Sequence, residues 1–109
     1  MAQFDIHRNK GALLNVIPFV VLVQSAQFDR YRRRVVVPLV RRSALPGNTV
    51  ILASRMNPTF SINGSDVVLH PLDMVSVAVD QLGDYIGSLA DEGQKITDAL
   101  DELLTRSWG

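Results

Sequence analysis

Short apolar runs separated by polar turns fill most of this chain, and a helical period takes over only near its end. Gln3–Arg8 alternates, with Phe4 and Ile6 on one face, which predicts a strand. Ile17–Gln24 is rich in β-branched residues (Val20, Val21, Val23) beside Phe19, and predicts a strand buried on both faces for much of its length. Its predicted partner is Arg33–Val40, where Val35-Val36-Val37 precede Pro38. A proline has no N–H to give a ladder, so Pro38 is expected at a strand edge, bulge or end. The turn signal Pro46-Gly47-Asn48 leads to a short strand over Val50–Ala53, and Asn57-Pro58 breaks the chain before another over Thr59–Ile62. Asn63-Gly64 then joins Thr59–Ile62 to Val67–His70 as a two-residue hairpin, because a type I′ turn needs positive φ at both positions. Met74–Val79 alternates and is expected as a central strand. Gly83 and Gly87 flank a short segment ahead of the helix.

In the stretch from Lys95 to Gly109, Ile96, Ala99, Leu100, Leu103 and Leu104 recur at i, i+3, i+4, i+7 and i+8, one apolar face of a helix. Thr97, Asp98, Asp101, Glu102 and Thr105 form the wet face. Asp91 is the expected N-cap, with Gln94 completing a capping box. Many short strands followed by one helix predict a mostly β (α+β) domain, a rolled antiparallel sheet or barrel with a C-terminal helix packed on it. Trp108, the only tryptophan, has two roles open to it: a lid folded back on the core, or a large apolar contact presented to a partner.

At 109 residues the chain is expected to be one domain, residues 1–109. It has no cysteine, which excludes disulfides and thiolate metal sites, and its two histidines are far apart in sequence. No metal or cofactor is expected. The apolar stretch from Leu13 to Val23 is too short to span a bilayer, and the N-terminus lacks the pattern of a signal peptide. A cytoplasmic protein without a membrane partner is the expectation. Residues 1–55 carry nine Lys and Arg against two acids, and residues 56–109 carry two against nine. Folding either separates these halves into a basic and an acidic face or mixes them through strand pairing.

The basic run Arg30-Tyr31-Arg32-Arg33-Arg34, with Arg41-Arg42 beyond it, interleaves arginine with an aromatic. That is a nucleic-acid signature, and equally the look of a solvated strand edge guarded by charge. An acid–base pair of His7 with Asp5 or Asp73 is conceivable, but no phosphate loop or nucleophile elbow is present. The sequence points to a binding protein, not an enzyme.

Taken together, Gln3-Phe4, Val23-Gln24-Ser25, Arg33-Arg34-Val35-Val36-Val37-Pro38-Leu39, Asp73-Met74-Val75-Ser76-Val77-Ala78-Val79 and Trp108-Gly109 resemble the CcdB toxins of type II toxin–antitoxin modules, found on plasmids and chromosomes, in order and spacing across the whole chain. The resemblance implies an SH3-like rolled sheet with a C-terminal helix, a homodimer, and no catalysis. It implies binding to the breakage–reunion (A) subunit of DNA gyrase and trapping of its cleaved-DNA complex. Neutralisation by a disordered segment of a cognate CcdA-like antitoxin is also implied, as is operator DNA bound only together with that antitoxin. By the same resemblance the gyrase contact maps to Trp108, Gly109, Ser107 and Arg106, with Gln27 and Phe28 adjoining, and the antitoxin groove to Gln3, Phe4 and Ser25. This sequence departs from the family in stopping at Gly109 where many members end Trp-Gly-Ile, and in Ala78, where the family has Pro. Trp108 also lies further from Ile96 than in typical members, by about 4–5 Å of helical rise. Two alternatives remain: a MazF-like endoribonuclease toxin, motivated by the basic run, and a toxin relic that only dimerises and binds antitoxin.

Overall fold

The computed structural model describes residues 1–11, 13–45 and 55–106, with Arg106 described in its backbone alone. Its strands are β1 (Asp5–Arg8), β2 (Phe19–Leu22), β3 (Arg33–Arg41), β4 (Thr59–Ile62), β5 (Ser65–Leu69), β6 (Val75–Ala78) and β7 (Tyr85–Ser88), followed by helix α1 (Gly93–Asp101). Among the described residues every pairing is antiparallel. The sheet runs β4-β5-β3-β2-β1-β7, with β6 paired to β3 off that path. The result is a curled antiparallel half-barrel with one C-terminal helix. The expected strand over Val50–Ala53 and the turn Pro46-Gly47-Asn48 lie outside the described residues.

The nine-residue β3 is the spine of the sheet. One edge pairs with β2, Phe19 opposite Leu39 through Leu22 opposite Val36. The other edge has two partners, β6 along Arg33–Val36 and β5 along Leu39–Arg41. Pro38 therefore sits inside a long central strand, not at its end. In an extended strand the N–H and C=O of one residue face the same edge. The Pro38 carbonyl accepts from His70 N–H at 3.1 Å, so its missing N–H faces the gap where β3 exchanges β6 for β5. The ladder loses no bond there.

Alternation along the strands builds the core. Ile6, Phe19, Val21, Val37, Leu39, Phe60, Ile62, Val67 and Leu69 meet Leu89, Ile96 and Ala99 beneath the helix. The Asn63-Gly64 turn forms as expected, with φ of 50° and 80°. Met74–Val79 proves peripheral: among the described residues β6 forms a ladder with β3 alone, and Val75 is 47% exposed. Its valines face a small apolar cavity of about 170 Å³ on the sheet's second face, beside Val20, Val36 and Pro38. The segment between Gly83 and Gly87 holds a strand that periodicity missed, β7. It pairs with β1 through a bulge at Ile6 and His7, where Gly83 lies so close that a Cβ would stand 2.4 Å from the Arg8 carbonyl oxygen.

The helix begins differently from the expected capping box. Ala90–Glu92 forms a 3₁₀ turn, Ser88 Oγ accepts from Ala90 N–H at 3.0 Å, and neither Asp91 nor Gln94 caps the helix. Gly93 fixes the start instead, because its bare Cα receives the Phe4 ring. Ile96 and Ala99 are fully buried, and Leu100 is half-buried. A π turn over Glu102–Arg106 then rotates the apolar stripe off the sheet. Leu103 is half-buried and Leu104 is 66% exposed, so the expected apolar face ends one turn early.

The two charged halves are mixed. Strands of the second half flank those of the first on both sides of the sheet. No described helix is long and apolar enough to cross a membrane.

Candidate partner-binding surface

The segment that follows β2 is organised by one buried arginine. Arg34 lies in β3 with no exposure at all, against the expectation of a solvated basic run. An isolated buried guanidinium would be expensive, so its donors must be matched. They reach Asp29, the Gln24 side chain at 3.3 Å, and the carbonyls of Gln24 and Ser25 at 3.3 and 3.0 Å. Gln24 Oε1 also accepts from Val35 N–H at 3.0 Å, replacing a ladder partner where β2 ends. Asp29 takes a second ion pair from the Met1 amino group at 2.9 Å. The amino-terminal ammonium and then Arg34 hold the Asp29 carboxyl below the usual carboxylate range.

This network pins a short loop. Ser25 Oγ accepts from Gln27 N–H and opens the 3₁₀ turn Ala26–Phe28. Tyr31 N–H donates to the Phe28 carbonyl at 3.0 Å, which brings the Phe28 and Tyr31 rings to 5.8 Å between centroids, tilted by 35°. Both rings remain substantially exposed, Phe28 at 39% and Tyr31 at 61%. Arg30, Arg32 and Arg33 are exposed around them. Arg33 is tethered to Ser76, Nε to Oγ at 2.7 Å and a terminal nitrogen to the carbonyl at 2.6 Å.

Several of the sequence-derived candidates gather at this end of the sheet. Gln3 donates to the Val23 carbonyl at 3.1 Å. Phe4 N–H donates to the Leu22 carbonyl, and Phe4 sits at φ 72° with its ring under Gly93. Phe4 is thus half-buried and held by packing, whereas Gln3, Gln27 and Phe28 offer exposed side chains. Arg106 stands at the far end of α1 and its π turn, roughly 20 Å of rise from Gly93. Ser107, Trp108 and Gly109 lie outside the described residues.

His7 pairs with neither Asp5 nor Asp73. Its Nδ1–H donates to the Gly83 carbonyl at 3.1 Å, its ring meets Tyr85 edge-on, and it is 8% exposed. Asp5 accepts from Ala2 N–H. Among the described residues no three His, Cys, Asp or Glu side chains converge as a metal site would require. Sequence reasoning missed Arg34, Gln24 and Asp29 as the frame of this loop. The available signal was Gln24 beside the apolar strand, a polar side chain placed where only a buried donor would use it.

The fold defines a class: a small rolled antiparallel half-barrel closed on one face by a C-terminal helix, with a pinned loop after its second strand. The family model of the CcdB protein matches residues 3–106, and the chain belongs to the CcdB family, toxins of toxin–antitoxin systems. Among solved structures, an endoribonuclease in complex with its cognate antitoxin from Mycobacterial species is similar at a TM-score of 0.73 and 17% identity, covering 100% of this chain and 99% of that one. That likeness concerns the fold. No match was found among curated proteins.

Proposed function

We propose that this protein is a gyrase-poisoning toxin that acts by binding and catalyses no reaction of its own. In this reading it works in the cytoplasm as a homodimer, contacts the A subunit of DNA gyrase, and traps the enzyme's covalent complex with cut DNA. Arg106, Ser107, Trp108 and Gly109 form the principal contact, and Gln27 and Phe28 extend it. A CcdA-like antitoxin covers a surface that includes Gln3, Phe4 and Ser25, and the two proteins together bind operator DNA. The observation that carries the reading is the family match from the first strand to the end of the helix. The exposed Leu104 and Phe28 are compatible with protein contact at both places. Two helices related by a dyad would offer a pair of Trp side chains to a two-fold gyrase dimer.

A gyrase cleavage assay with purified protein tests it. Wild type is expected to accumulate linear, protein-linked DNA. Trp108→Ala is expected to abolish that product while the dimer and its Tm stay nearly unchanged. Supercoiling and cleavage left unaltered by wild type would reject gyrase as the target. The alternative of a MazF-like RNA-cleaving toxin rests on the exposed arginines of the 30–33 segment. RNA that survives incubation intact excludes it.

A further inference from the structure

The loop after β2 carries more charge and aromatic surface than its place in the fold requires. Arg34 and Asp29 account for its anchoring, and Arg33 is bound to Ser76. The guanidinium groups of Arg30 and Arg32 make no hydrogen bond or ion pair among the described residues, and both side chains are exposed. Between and before them stand the exposed Tyr31 and Phe28 rings, 5.8 Å apart. The carboxylate within the loop, Asp29, is already neutralised by two cations. Asp80 follows Val79, whose N–H donates to the Arg32 carbonyl, yet it forms no ion pair among the described residues. The loop therefore presents two guanidinium groups that are unpaired among the described residues beside two exposed rings, held in place by the buried Arg34.

We propose that residues 28–32 bind single-stranded nucleic acid, with Arg30 and Arg32 on phosphodiester oxygens and a base stacked on Tyr31 and Phe28. Guanidinium groups fit phosphate oxygens with paired donors, and exposed rings stack on any unpaired base. An acidic protein would satisfy the arginines but would leave the rings without a planar partner. The site shares Phe28 with the contact proposed for gyrase but uses none of the helix-end residues, and its arginines and Tyr31 are tested without that reading.

Fluorescence anisotropy of labelled oligonucleotides with the full chain is the test. Wild type should bind a single strand with affinity that falls as salt rises, with a log–log slope of about −1.4 for two phosphate contacts. Arg30→Gln with Arg32→Gln should remove that slope. Tyr31→Ala should weaken binding roughly tenfold and leave the slope unchanged. All three side chains are exposed, so circular dichroism and Tm should match wild type in each variant. DNA and RNA oligonucleotides are compared to name the source, and binding to either supports the site. Absence of binding, a double arginine variant that binds as wild type does, or polyglutamate competing as well as the oligonucleotide would each overturn it, the last in favour of an acidic protein partner.

Discussion

Arg34 holds a loop to the sheet from inside the protein. Removing its side chain leaves the Gln24 carbonyl without a donor and takes from Asp29 one of its two cations, at about 1–3 kcal/mol for an unsatisfied buried group. Arg34→Leu is expected to lower stability by that order in a denaturant titration and to speed hydrogen exchange across 24–29. Asp29 gives the same network a pH dependence. Its folded pKa is depressed, so its contribution is present above the unfolded carboxylate value and is lost as pH falls through the folded one. The Tm difference between wild type and Asp29→Asn should be plain near neutral pH and vanish in strong acid, where both side chains are neutral. A difference that persists there would mean the carboxylate charge is irrelevant. Gly93 tests close packing. A Cβ there would stand 2.5 Å from Phe4 Cε2. Alanine gains about 1 kcal/mol of helix propensity, but crowding a ring fixed at positive φ costs about 1–3 kcal/mol. Gly93→Ala is therefore expected to destabilise, and a raised Tm would show that Phe4 moves freely.

At the scale of elements, the helix is attached by few residues. Ile96 and Ala99 are its fully buried apolar side chains, and the π turn carries Leu104 away from the core. Ile96→Ala should cost about 2–5 kcal/mol through lost burial and the cavity left behind. Far-UV circular dichroism during unfolding should show the helix and sheet lost together, since both face one core. Thr59–Ile62 and the Asn63-Gly64 turn were legible because a hairpin is local: its strands are neighbours and its turn chemistry is written in two residues. β7 was not legible, because Tyr85–Ser88 is short, half-exposed and held by β1 from the far end of the sequence. The capping box failed for a similar reason. Asp91 and Gln94 carry the right pattern, but the Phe4 ring against Gly93 decides where the helix starts.

For the whole molecule, the amino-acid sequence by itself determined the class of fold. Alternation in β1 to β5, the hairpin turn and the helical period of Ile96, Ala99 and Leu100 are properties of neighbours a few residues apart, and secondary structure responds to that range. The same short motifs, in order, sufficed for the family resemblance. Which residues of the basic run are free was decided only by the tertiary structure. Arg34 is buried, Arg33 is tied to Ser76, and Arg30 and Arg32 stand in solvent, though all four look alike in sequence. Pro38 likewise reads as a strand edge, bulge or end, yet it occupies a central strand at the point between its β6 and β5 ladders, where its N–H is not needed. These outcomes depend on what packs against a residue from distant parts of the chain. A buried charge is tolerable only where the fold brings enough acceptors to it, and no local period encodes that meeting.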